Sequence, residues 1–159
     1  MSKRIELSQG KFAIVDDEDY EWINQYKWSA LRGRSTFYAV RNEGRPQKRI
    51  YLHREIMNAP ADMQVDHTDR DGLNCTRDNM RLATNAQNLR NRGAQANNTS
   101  GYKGVDWHKW CGKWRVTIKV NGKQIYLGHY GDPIEAARAY DAAARKYHGE
   151  FANTNFPNP

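Results

Sequence analysis

Between Lys11 and Leu52, apolar residues come in short runs cut by polar turns: "KFAIVD", "FYAVRN" and "KRIYLH", with "EGRP" between the last two. Runs of this length, rich in β-branched and aromatic residues, predict strands. Between the first two runs, "DEDYEWINQYKW" spaces Tyr20, Ile23, Tyr26 and Trp28 at roughly helical intervals behind a cluster of acids. Acids favour the first turn of a helix, so the pattern predicts a strand, a short helix and then a hairpin.

From Arg90 to Gly101, in "RNRGAQANNTSG", apolar residues almost vanish and Gly, Asn, Gln, Ser and Thr take over. That is linker composition and marks a domain boundary. Beyond it "KWRVTIKV" alternates, with Trp114, Val116, Ile118 and Val120 on one face and Lys113, Arg115, Thr117 and Lys119 on the other. This predicts a half-buried strand with a basic outer face, whose core side carries Val116, Ile118 and Val120. Asn121 and Gly122 form a two-residue hairpin signal before "KQIYLGHY", and "YKGVDWH" supplies a third strand. Asp132 as N-cap, Pro133 and Glu135 then start a helix whose stripe is Ala136, Ala137, Tyr140, Ala143, Ala144 and Tyr147, closed at Gly149.

Between these regions, "MQVDH" reads as a short strand ending in Asp66 and His67, "DRDGLNCTRDN" as a long polar loop, and "MRLAT" as a return strand. Thr84 and Gln87 form a capping box, so a helix starts at Asn85 and carries Asn88 and Asn91 on one face. This order would bring Asp66 and Asn88 together.

At 159 residues the chain is long enough for one ordinary domain or two small ones. A hydrophobic content of 38%, with five Trp and nine Tyr, supplies enough apolar surface for folded cores. The formal charge of +7 favours a polyanion, because Lys and Arg that neutralise phosphates release condensed counterions. Both regions share it: the first 92 residues net +3 and the remainder +4. No apolar run approaches the roughly 20 residues that span a bilayer, and "MSKRIELSQG" lacks the apolar middle of a secretory signal. The expectation is an intracellular protein with no membrane partner. Cys75 and Cys111 are the two cysteines and form no CxxC pair, which argues against a thiolate zinc site or a disulfide framework. On that reading any metal sits on oxygen and nitrogen donors.

Asp66-His67, Asn79 before "MR", and Asn88 on the following helix resemble the HNH endonuclease motif, whose ββα-metal fold cuts phosphodiester bonds. The stretch from "VDDEDYEW" through "LHREIM" to "QNLRN" is similar to phage and intron-encoded members of that family. The resemblance implies His67 as general base, Asp66 and the Asn88 side-chain oxygen as ligands of one Mg²⁺ or Mn²⁺, and Asn79 as the residue that ties the polar loop and orients His67. One departure lies in that loop: Asn74, Cys75, Thr76 and Arg77 stand where the family more usually has Asp-Asn-Arg-Arg. His53 in "LHRE" is either a partner of the site or a polar residue packed against Tyr51.

The blocks "YKGV", "GKW", "LGHY", "EAARAYD" and "NFP" are similar to the AP2/ERF DNA-binding domain, a three-stranded sheet backed by one helix. The resemblance implies a sheet lying in the major groove, about 12 Å wide, with its outward side chains toward base edges. The outward candidates are Lys103, Arg115, Thr117, Lys119, Gln124 and Tyr126, with Trp110 against the backbone sugar and Lys113 against a phosphate. Near several family arginines this chain has Lys103, Asp106, His108, Lys119 and Gln124 instead, so the plant target sequence does not carry over.

The whole reads as an α+β chain: residues 1–92 an HNH domain with its ββα-metal core at about 62–92, residues 93–101 a linker, and residues 102–159 an AP2-like domain. The expected function is a site-preferring double-stranded DNA endonuclease of the homing type, acting in the cytoplasm of a phage-infected host, with no protein partner evident. The alternative is a transcription regulator that binds DNA through the AP2-like sheet without cutting it, and RNA processing is a third class.

Overall fold

The computed structural model describes residues 1–94 and 97–157; residues 95 and 96 of the expected linker and the last two residues of the chain lie outside the described residues. The chain divides into two compact units, Met1–Asn88 and Leu89–Pro159.

The first unit opens with β1 (Ser2–Glu6) paired antiparallel to β2 (Phe12–Asp16), from Ser2 opposite Asp16 to Glu6 opposite Phe12. The pattern did not predict β1, because Ile5 alone of its five residues is buried. α1 (Asp17–Ile23) follows directly, with three acids in its first turn. It stops at Ile23, so Tyr26 and Trp28 do not extend its buried face. Tyr26 is exposed, whereas Trp28 is buried separately with its indole N–H donating to the Ile23 carbonyl at 3.0 Å. The expected hairpin gains a strand: β3 (Ser29–Arg32), β4 (Phe37–Glu43) and β5 (Lys48–Tyr51) form an antiparallel sheet in that order. Instead of continuing the strand, Leu52 starts α2 (Leu52–Ile56), which buries Leu52, His53 and Ile56 on one helical face.

β6 (Gln64–His67) then pairs antiparallel with β7 (Met80–Ala83), and α3 (Asn85–Asn91) begins where the capping box sets it. The Gln87 side-chain oxygen accepts from the Thr84 N–H at 2.8 Å while Thr84 Oγ accepts from the Gln87 N–H at 3.3 Å. Ile5, Val15, Ile23, Leu52, Ile56, Val65, Cys75 and Met80 belong to one buried cluster. Each fully buried aliphatic side chain contributes about 1.5–3 kcal/mol, and β6 is anchored in that cluster through Val65.

In the second unit β8 (Val105–His108), β9 (Lys113–Val120) and β10 (Lys123–Tyr130) form an antiparallel sheet in the order β10-β9-β8, packed on α4 (Pro133–His148). Asn121 and Gly122 both take positive φ (49° and 80°), the backbone a tight hairpin requires. Asp132 caps α4 by accepting from the N–H groups of Ile134 (2.8 Å) and Glu135 (2.9 Å). Val105, Val116, Ile118, Ala136, Ala137, Tyr140, Ala143 and Ala144 make the core. Tyr147 departs from the expected stripe: it is exposed, and His148 is buried in its place with Nε2 at 3.0 Å from the Lys119 carbonyl.

Gly104 takes φ 77°, and a Cβ there would lie 2.0 Å from the Tyr140 ring, so close packing demands glycine at this point. The "NFP" tail closes the unit: buried Asp141 accepts from the Asn155 N–H (2.7 Å), the Asn155 amide (3.0 Å) and the Phe156 N–H (2.9 Å). Among the described residues no helix is long and apolar enough to cross a membrane.

Candidate active site and nucleic-acid interface

Side chains alternate along β6, so Gln64 and Asp66 share one side and Val65 and His67 the other. Asp66 is buried, and its Oδ2 accepts from Arg81 Nε (3.0 Å) and Nη2 (2.8 Å) on the paired position of β7. His67 is buried among rings, with centroids 5.2 Å from His53 and 6.2 Å from Tyr38. Burial lowers the His67 imidazole below its ordinary pKa, against the opposing pull of Asp69, Asp66 and Asp71. The ring is therefore neutral near pH 7 and able to accept a proton.

The loop between β6 and β7 is held by Asn79. Its Oδ1 accepts from Thr68 Oγ (2.8 Å) and the Asp69 N–H (3.1 Å), while its Nδ2 donates to Asp69 Oδ1 (3.0 Å) and the Asn74 carbonyl (2.8 Å). Asp69 also accepts from the Asp71 N–H and the Asn74 amide. Partial burial pushes the Asp69 carboxyl up, but these hydrogen bonds outweigh it and hold the pKa below the usual value. The departures from the family pattern are absorbed by packing. Cys75 is fully buried, which pushes its thiol up to about 12. Arg77 forks onto Asp19 at 2.9 and 2.8 Å.

On α3, Asn88 donates its amide to Gln64 Oε1 at 2.5 Å. Because Gln64 lies on the Asp66 side of β6, Asn88 is tethered toward that side, and with Nδ2 committed its Oδ1 is the end left to act as a ligand. A carboxylate and an amide oxygen suit a hard divalent cation.

Several supporting residues were not singled out from the sequence. The Tyr38 ring lies against Gly33 and Gly72: a Cβ on Gly72 would meet the Phe37 carbonyl at 2.5 Å and the Tyr38 ring at 2.6 Å. Arg54 donates to the carbonyls of Met63 (2.8 Å), Ala59 (3.1 Å) and Pro60 (2.7 Å), fixing the approach to β6. His53, by contrast, was a candidate from the sequence, as a partner of the site or a residue packed on Tyr51, and its ring lies against both Tyr51 and His67. The period-2 spacing of Gln64 and Asp66 was the one available signal; the others depend on contacts distant in sequence.

On the outer face of the second sheet, Arg115 pairs with Asp106 (2.7 Å), Gln124 donates to Thr117 (3.0 Å), and the Tyr126 hydroxyl meets His129 Nδ1 (2.7 Å). Lys113, Lys119 and Gln124 are exposed, and Trp110 projects almost fully into solvent at 95% exposure. Lys103 precedes β8, and its ammonium binds the Arg90 carbonyl. The strand candidates thus share one polar, basic surface, and Lys103 stands apart from it.

A family model described as "HNH endonuclease" matches residues 58–90, and one described as "AP2 domain" matches residues 100–150. Over 149 residues the chain is 28% identical to an HNH endonuclease of Acanthamoeba polyphaga mimivirus, covering 92% of this chain and 76% of that protein. It is 37% identical to Protein 3.8 of Escherichia phage T7 over 93 residues, 58% of this chain and 76% of the phage protein. The chain is also 45% identical over 69 residues to an AP2-like ethylene-responsive transcription factor of Arabidopsis thaliana, a match that covers 37% of this chain and 14% of the plant protein. With the nuclease motif falling on the β6-β7-α3 unit and the AP2 match on the sheet backed by α4, the chain belongs to the HNH endonuclease family and carries an AP2 domain after its nuclease domain.

Proposed function

We propose that the chain is a site-preferring endonuclease of double-stranded DNA, of the homing type, in which the AP2 sheet reads DNA and the β6-β7-α3 unit hydrolyses a phosphodiester bond. The observation that supports this reading is the position of Asp66 and His67 at the end of β6, with Asn88 on α3 hydrogen-bonded to Gln64 of the same strand.

Neutral, buried His67 takes a proton from the attacking water, which adds to phosphorus as the bond to the 3′ oxygen breaks. Asn79 is a positioning residue: its four hydrogen bonds fix the loop that leaves His67 at the end of β6. Asp66 and Asn88 are the residues that would hold a divalent cation, Mg²⁺ or Mn²⁺, whose chemistry is to stabilise charge on the phosphate and the departing oxygen. Asp66 Oδ2 already accepts from Arg81, so Asp66 would hold the cation beside that guanidinium or in its place. On the reader, Arg115, Thr117, Lys119, Gln124 and Tyr126 face base edges, Trp110 the backbone sugar and Lys113 a phosphate, while Lys103, expected among the outward residues, has its ammonium on the Arg90 carbonyl. Joining the two units raises the local concentration of the cutter at bound DNA.

The test incubates supercoiled plasmid carrying candidate target DNA with the full chain and with His67→Ala, in Mg²⁺ and in EDTA. Nicked or linear product from the wild type in Mg²⁺ alone supports the reading, and its form reports how many strands are cut. Binding without cleavage in every arm would replace it with a DNA-binding regulator.

A further inference from the structure

No cysteine pair stands in the sequence, which favours oxygen and nitrogen donors for a metal, yet folding brings Cys111 between two histidines. His108 Nδ1 lies 2.8 Å from Cys111 Sγ, and His129 Nε2 lies 3.8 Å from the same sulfur. One donor atom from each residue falls within 4.8 Å of the other two. None of the three is buried. His108 ends β8 and Cys111 lies in the β8-β9 turn, where the Cys111 and Gly112 N–H groups both bond the His108 carbonyl. His129 comes from β10, opposite Arg115.

We propose that His108, Cys111 and His129 form a zinc site, separate from the nuclease centre, on the DNA-facing side of the AP2 sheet. Tetrahedral Zn²⁺ with bonds of about 2.3 Å to sulfur and 2.0–2.1 Å to nitrogen holds its donors about 3.3–3.6 Å apart. The two sulfur–nitrogen separations bracket the roughly 3.6 Å such a pair needs, so closure opens the His108 contact by about 0.8 Å and shortens the His129 contact by about 0.2 Å, movements within reach of side-chain rotation at exposed positions. Two imidazoles and a thiolate form a borderline-soft set that selects Zn²⁺ over Mg²⁺. A second feature points the same way: the Tyr126 hydroxyl engages His129 Nδ1 at 2.7 Å and turns Nε2 toward Cys111, as hydrogen bonds behind metal-bound histidines commonly do. The two imidazoles already approach with centroids 4.9 Å apart. Three protein ligands leave the fourth position to water. The ion clamps the β8-β9 turn to β10 and fixes the Tyr126 hydroxyl on the reading surface.

The test titrates the metal-free full chain, reduced with a non-chelating phosphine, with Co²⁺ and then with Zn²⁺. The expected result is a thiolate-to-cobalt charge-transfer band that saturates at one equivalent, disappears on Zn²⁺ addition, and is missing in Cys111→Ser. His108→Ala and His129→Ala weaken binding at least tenfold, and Tyr126→Phe about tenfold. The band reports sulfur ligation, so it is blind to oxygen donors at Asp66 and Asn88 and independent of whether the chain cleaves DNA. Absence of the band in the wild type, or its survival in Cys111→Ser, overturns the proposal.

Discussion

The imidazoles of His53 and His67 meet edge to face with ring centroids 5.2 Å apart, and burial holds both below their ordinary pKa. For His53 the value falls from 6.5 to about 3, through burial first and then the positive charge of His67 and Arg54. The unfolded chain therefore binds protons that the folded chain refuses. Stability is complete above about pH 6.5 and is lost as pH falls toward about 3, at about 1.4 kcal/mol per pH unit for one group. Urea midpoints measured across this window should fall steadily in the wild type and less steeply in His53→Phe, which keeps a ring in place. Parallel slopes would remove His53 from the account.

Asn79 uses both ends of its amide, so replacements at this position separate its roles. Asn79→Asp keeps the acceptor but sets a carboxylate where Nδ2 serves Asp69 at 3.0 Å and the Asn74 carbonyl at 2.8 Å. The expected loss is about 2–3 kcal/mol in denaturant unfolding, with unchanged slope, because a donor is lost and like charges meet. Equal stability of variant and wild type would show that the loop is held elsewhere.

Gly72 gives the Tyr38 ring its space, since a Cβ there would lie 2.5 Å from a backbone carbonyl. Gly72→Ala should cost about 1–3 kcal/mol and lower the melting temperature. Gly131→Ala, where nothing lies within 4 Å of the added Cβ, is the matched control and should melt with the wild type.

Asp141 holds the C-terminal tail through three hydrogen bonds from Asn155 and Phe156. Asp141→Ala should destabilise the AP2 unit by about 3 kcal/mol, because bonds to a buried carboxylate are strong and leave donors unpaired when lost. Hydrogen exchange should localise the effect to β8, β9, β10 and α4. Protection unchanged in those elements would mean that the tail is not part of the cooperative unit.

Arg115 is neutralised by Asp106 at 2.7 Å, whereas Lys113 is exposed. Lys113→Ala should weaken DNA binding and reduce the salt slope by about 0.9, the value for one phosphate contact. Asp106→Asn removes a negative charge from the reading face and should tighten binding several-fold at low salt. A binding isotherm that neither variant moves would place the DNA elsewhere.

The strands of the AP2 unit and the start of α3 are legible in the linear pattern. Val116 and Ile118 alternate with Arg115 and Thr117, the Asn121-Gly122 turn names its own backbone, and the Thr84-Gln87 capping box starts α3. β1 and β3 were not legible, because strands that bury one apolar residue each leave too little period to detect. Leu52 belonged by composition to a strand and became helical because its side chain, with His53 and Ile56, packs on a core assembled from distant segments.

By itself the sequence determined what is local: which residues alternate, where turns and caps fall, and that Asp66, His67, Asn79 and Asn88 stand in nuclease order. Tertiary structure decided what those residues touch. Arg81 on Asp66, Gln64 beneath Asn88, His53 against His67 and Cys111 between two histidines are contacts set by strand register and close packing, and a linear pattern carries no distance between residues that only folding brings within a few ångströms.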